Sequence, residues 1–284
     1  MKTCWRSICQ LRFSFNRTVF RQSPTLTHER RLFWASLLLL IVGIAGHFAY
    51  PLTPDVVKHL VVSLGLHGNL GGHHFVDGRT WLGIPNAADV LSNLPFAIFG
   101  IWGLALQAKW NKASQPFMGR ENFVLALFFM GLIFTAMGSM LYHLAPSDSS
   151  LLWDRAGMAF AFAGMLGVAA SERVSSVSGI WLGLASLLAG GLSLLVWRHT
   201  ADVLPWMTLQ FGCMVMVLIL AITRKHAKSL GVSLYAVVAW YAIAKIFESK
   251  DHAIFEATGH FVSGHTLKHL AASLAAWSII RVLK

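Results

Sequence analysis

Eight long apolar runs divide this sequence, and they limit its fold more than any other feature. They cover about 32–50, 88–107, 122–143, 152–170, 177–197, 203–223, 231–247 and 264–281. A helix needs roughly 20 apolar residues to cross the hydrocarbon core of a bilayer, and only helices and closed barrels satisfy their backbone there. Composition agrees: 56% of the 284 residues are hydrophobic and 12% are charged, against about 25% charged in a soluble globular domain. The expected fold is all-α, a polytopic membrane helix bundle with eight spans. The fourth run, "AGMAFAFAGMLGVAA", is rich in small residues, which let helix backbones approach closely in lipid.

Charge sets the expected orientation. The formal net charge is +11, but no basic face or nucleic-acid motif accompanies it, so nucleic acid is not an expected partner. The positive residues gather in the tail and in short connections. With the N-terminus inside, sixteen Lys and Arg fall on inside segments and seven on outside ends and loops. This favours both termini in the cytoplasm. Seven of the sixteen lie in residues 1–31, so that tail carries much of the assignment. The tail is Arg-rich with no acidic residue before Glu29; it reads as a basic cytoplasmic tail or as a mitochondrial presequence. Short outside loops and a basic tail fit a bacterial inner membrane.

Cys4, Cys9 and Cys213 form no CxxC and no disulfide framework. Residues 51–87 form the one long loop, with His59, His67, His73 and His74 around "GNLGGHHF". Flexible glycine surroundings there favour solvated histidines over a metal site, which needs ligands held in fixed geometry.

Ionisable residues inside spanning segments are costly and mark function by default. Here they collect at the outside ends of three helices. Ser139 and His143 are one helical turn apart at the end of the third run. "LAPSDSS" then reads as a turn, and Asp154 begins the next helix. Far along the chain, "GHTLKH" places His265 and His269 at i and i+4, a zinc-ligand spacing. Three imidazoles with one open position is a catalytic zinc arrangement. Alternation of the spans puts all five residues at one membrane face, the extracytoplasmic one. Each alone has a plain alternative. Ser139 could bond its own helix. Asp154 could cap a helix or pair with Arg155 or Arg198. The histidines could be interfacial. Together, those alternatives require five coincidences.

"GSMLYH", "LLWDRAGM" eleven residues on, "GHTLKH", and "VLSNLPFAIFG" with Ser92 and Asn93 resemble the alkaline ceramidases. More broadly they resemble the membrane hydrolase superfamily that also includes the progestin and adipoQ receptors. The resemblance covers about residues 80–284. It implies a seven-helix core over 88–284, preceded by an extra transmembrane helix at 32–50 and the loop at 51–87. It implies zinc on His143, His265 and His269, with Asp154 and Ser139 beside an activated water, and hydrolysis of the amide of a ceramide or related N-acyl lipid. Three places depart from the family pattern. The stretch "DGRTWLGIPNAADV" holds Asp77, Asn86 and Asp89 but lacks the glutamates and spacing of a calcium site, which argues against calcium. Arg155 follows Asp154 where an acidic residue is typical. Lys268 precedes the last histidine where an aromatic is common. These bear on the sphingolipid identity of the substrate more than on zinc. From the residues, Asp154 is expected to move protons and Ser139 to hydrogen-bond an oxyanion. Asn93 either lines the site or packs between helices. Two other readings stand beside the hydrolase: a non-enzymatic lipid-sensing receptor on the same fold, and a transporter or haem protein using helix histidines.

Overall fold

A computed structural model describes residues 75–113, 119, 121–225 and 229–284, together with residues 27, 29, 31, 32, 34–36 and 38. Most of the tail, of the helix expected at 32–50 and of the loop histidines lies outside the described residues. Among the described residues the chain is helical, with no strand beyond an isolated bridge at Trp81 and Ile84. The helices are α1 (Ala87–Leu91), α2 (Leu94–Ala113), α3 (Glu121–Leu144), α4 (Asp148–Arg173), α5 (Ser176–Thr200), α6 (Leu204–Ala221), α7 (Leu234–Ser249), α8 (Asp251–Ala257), α9 (Gly264–Leu274) and α10 (Trp277–Leu283). Among the described residues, five helical stretches are long and apolar enough to cross a membrane: Ala87–Trp110, Glu121–Leu144, Asp148–Arg173, Ser176–Thr200 and Leu204–Ala221. This is consistent with a multi-pass membrane protein.

Two expected spans take a different form. The one at 231–247 is α7, with 16 residues. At about 1.5 Å per residue this falls short of a roughly 30 Å hydrocarbon core. The one at 264–281 is divided into α9 and α10. Tighter i→i−3 bonds at Ala275, Ala276, Ser278 and Ile279 join them, and Ala275 and Ala276 keep right-handed helical backbone, so the path stays helical through the break.

Local chemistry explains the ends that matter. Pro95, in the first turn of α2, has no N–H to offer the Leu91 carbonyl. The chain breaks there, leaving Ser92 and Asn93 between α1 and α2. α3 stops before Pro146. α4 begins at Asp148 rather than near residue 152, because Ser147 and Ser150 form a capping box. Asp154 therefore stands in the second turn of α4, where it cannot act as an N-cap.

α3 and α4 are the most intimate pair in the bundle, and glycines allow it. A Cβ at Gly131, Gly138, Gly157 or Gly164 would sit 2.3–2.5 Å from backbone of the facing helix. Such contacts leave room only for hydrogen, so the small-residue character of α4 is a packing device. α2, α3, α4, α6, α7 and the α9–α10 path contact one another in a closed ring, while α5 packs outside against α4 and α6. The ring surrounds an internal cavity of about 140 Å³.

Candidate metal centre

His143, His265 and His269 meet at one end of this ring. One ligand nitrogen from each lies within 4.8 Å of the others. Their ring centroids are 4.8–5.2 Å apart and the rings are steeply inclined, so edges rather than faces converge. Three elements produce the meeting. His143 is in the last turn of α3, buried among the core helices. His265 and His269 come one turn apart from the start of α9. That start is fixed by Gly264, whose missing side chain lets the backbone approach Phe247 and Asp251. The His265 N–H also donates to Asp251 Oδ1 at 2.8 Å.

Hydrogen bonds behind His269 suit one tautomer. Ser92 Oγ donates its one proton to the Asp89 carbonyl at 3.0 Å. With that proton on the carbonyl, the 2.8 Å contact with His269 Nδ1 is donated by the imidazole. A proton on Nδ1 leaves the Nε2 lone pair bare, which is the arrangement of a metal-ligating histidine with an outer partner. Asn93 Nδ2 donates to the same Asp89 carbonyl at 2.8 Å and lies 3.4 Å from Nδ1. Asn93 thus lines the site and braces a helix junction at once. The Asp89 carboxylate accepts from Thr266 Oγ1 at 2.7 Å and Ser263 Oγ at 3.4 Å, where the exposed N–H groups of α9 favour negative charge.

The donor set fits a metal ion. Three imidazoles are apt for zinc and for several other transition metals. His143 Nδ1 is buried without a hydrogen-bond partner, a costly state for a polar atom that a coordinate bond would relieve. One neighbour suits an ion less. Lys268 Nζ lies 3.0 Å from His265 Nε2 and 3.5 Å from Nδ1, so its ammonium competes for a nitrogen that an ion would use.

Ser139 and Asp154 stand on the wall of the cavity together with His269. Gly138 brings the α3 backbone against Trp153 and Asp154, which sets Ser139 and Asp154 side by side on the cavity wall. Arg155 turns to the other side of α4, its guanidinium 4.3 Å from the Trp197 ring centre. The rest of the cavity lining is mainly apolar, including Phe96, Phe128, Leu132 and Met165.

Several residues at the site were not singled out from sequence. Phe75 covers the triad, its ring 4.4 Å from that of His143 and 5.9 Å from that of His265. Asn86 Nδ2 donates to the His143 carbonyl at 2.8 Å. Lys245 and Glu248 line the cavity from α7. Charged residues one turn apart in an apolar run are a legible mark of function. Asp89 also has helical spacing to Ser92 and Asn93. Phe75 carries no comparable mark. Protein-family models and curated proteins were compared with this chain, and none matches.

Proposed function

We propose that the protein is a zinc-dependent hydrolase of amide bonds in membrane lipids, cleaving a ceramide or related N-acyl lipid, as its resemblance to the alkaline ceramidases implies. The observation that carries this reading is a shared boundary. His269, one of the three converging imidazoles, borders the same mainly apolar cavity as Ser139 and Asp154. An acyl chain suits the apolar part, which leaves the amide at the polar end. In this reading α7, the α9–α10 path and the segment at 32–50 complete eight spans with the five long helices. Both termini are cytoplasmic, the site faces outward, and the membrane is a bacterial inner membrane.

An ion in the triad would supply Lewis acidity, polarising a carbonyl and acidifying water. Asp154 accepts a proton from the water that attacks the acyl carbon, then delivers it to the nitrogen as the C–N bond breaks. Ser139 has a single proton. From the cavity wall it can donate that proton either to the Asp154 carboxylate, orienting it, or to an oxyanion, not to both. The deciding experiment is turnover of an N-acyl lipid by purified protein, with Asp154→Ala and Ser139→Ala beside the wild type. Losses of about 10²–10⁴-fold are expected for Asp154→Ala and about 10–10³-fold for Ser139→Ala, with metal retained. Activity intact in both variants would remove the catalytic assignment.

One contact favours a second reading, a lipid-sensing receptor with a closed metal site. Lys268, held to Glu248 at 3.2 Å, stands beside the triad where substrate would approach. Metal-loaded wild type that binds lipid without turnover would support the receptor.

A further inference from the structure

The cavity wall beside the histidines carries charges that the proposed reaction leaves unused. Lys245 and Glu248 face the cavity from α7, and Lys268 faces it from α9. Glu248 accepts from both lysines, Lys245 on Oε2 and Lys268 on Oε1 at 3.2 Å. The lysine side chains are only 27% and 20% exposed. Asp154 is the other carboxylate on this wall, so two positive and two negative side chains balance. With the Asp89 carboxylate behind His269 also counted, a divalent ion on three neutral imidazoles would leave one excess positive charge around the site. Lys268 feels the change most. Its ammonium uses His265 Nε2 as an acceptor at 3.0 Å. An ion that claims a lone pair of that ring repels the ammonium and removes the acceptor. Lys268 would keep only Glu248, which it shares with Lys245, and a neutral lipid amide would supply no further charge to meet the ammonium.

Resting on the hydrolase reading, we propose that the substrate carries a carboxylate next to the scissile amide, as a fatty acyl amide of an amino acid does, and that Lys268 selects it. The carboxylate of an N-acyl glycine is one carbon from the nitrogen. That keeps the charge close to the scissile bond, as Lys268 is close to a triad histidine. The reaction balances. Water oxygen bonds to the acyl carbon, the C–N bond breaks, and both water protons end on the nitrogen. The products are a fatty-acid carboxylate and an amino-acid zwitterion.

The test uses the full chain in detergent micelles, loaded with zinc. Binding of dodecylsulfonyl glycine is compared with that of dodecylsulfonyl ethanolamine by tryptophan fluorescence. Neither sulfonamide is hydrolysed, and the two differ in the carboxylate. Wild type should bind the glycine compound at least about tenfold more tightly, the scale of one charged hydrogen bond. Lys268→Met should bring the two within about threefold by weakening the anion alone, because the lost contact is the charged one. Lys268→Arg, which keeps the charge, should preserve the preference. Equal binding by wild type, or a preference that survives Lys268→Met, would overturn the proposal. Hydrolysis of N-lauroyl glycine and N-lauroyl ethanolamine is measured in parallel. Charge preference with no turnover of either leaves the selection by Lys268 standing and removes the hydrolase. Turnover of the ethanolamide with no charge preference does the reverse.

Discussion

The two ends of α4 each bury a carboxylate, and they handle it in opposite ways. At the far end, Glu172 is 1% exposed and accepts from the backbone N–H groups of Leu230, Gly231 and Val232 at 2.7–3.1 Å. Gly231 has φ +92°, a conformation that glycine adopts readily, and it helps turn three consecutive donors onto one side chain. At the near end, about 27 Å away along the helix, Asp154 faces Ser139 across a cavity beside three imidazoles. Glu172 has only fixed backbone for partners and nothing left to bind. The near-end groups face one another and open space. Orphan atoms alone do not draw this distinction, because Ser171 Oγ and Arg173 Nε also lack partners at the far end. Convergence draws it. The orphan His143 Nδ1 belongs to a cluster of like donors, and those two do not.

The sharpest way to break the comparison is to remove a ligand. His265→Ala should lower zinc affinity by on the order of a thousandfold. That is about 4 kcal/mol, roughly a third of what zinc contributes in small zinc folds. Metal analysis after gel filtration should give about one zinc per wild-type chain and little in the variant. Equal zinc in both would show that the triad is not the binding site. Ser92→Ala comes next and tests the tautomer. Losing an outer hydrogen bond to a ligating histidine costs about 10–100-fold in affinity, so chelator competition should show a clear but partial loss. An unchanged affinity would mean that His269 is held some other way.

Glu172→Gln probes the far end. The amide turns an acceptor into a donor facing backbone N–H groups, a loss of about 1–3 kcal/mol. Thermal unfolding in detergent should drop while zinc stoichiometry in the folded fraction stays constant. A fall in zinc affinity as large as that from Ser92→Ala would show that the two ends are not separable.

The sequence made the near end legible to different depths. The convergence of His143, His265 and His269 followed from helical spacing and from alternation of the spans across the membrane, both of which depend on backbone geometry alone. α4 starts earlier than the apolar run suggests, because in "PSDSS", whose residue types are also those of turns, Ser147 and Ser150 form a capping box. The same residue types serve both purposes, so only the backbone decides between them. The α9–α10 break has no proline or glycine at residues 275–279 to announce it. Phe75 over the histidines depends on how a loop folds back, for which no periodicity exists. Lys268 was noticed as a departure from a pattern, but its contact with Glu248 needed two helices placed side by side.

The smallest expected effect lies in the loop that positions Phe75. Arg79 grips Asp77 with a fork, Nε to Oδ1 at 2.7 Å and Nη2 to Oδ2 at 2.6 Å. It also donates to the Phe261 carbonyl at 2.9 Å, tying the loop to the approach to α9. Burial pushes the Asp77 carboxyl up, but the hydrogen bonds and charge of Arg79 outweigh it and hold the group below its ordinary value. The sign follows. A depressed carboxyl stabilises the fold above its unfolded pKa of about 3.9, and that stability is lost only as pH falls through the lower folded value. With Arg79 40% exposed, solvent screening keeps the contribution small. Asp77→Asn should therefore speed zinc release to a chelator by only a few-fold, as the aromatic cover loosens. The ratio of variant to wild-type release should stay flat from about pH 5 to 8, since Asp77 remains ionised throughout. A ratio that climbed with pH in that window would assign the cover to another group, one that titrates near neutrality.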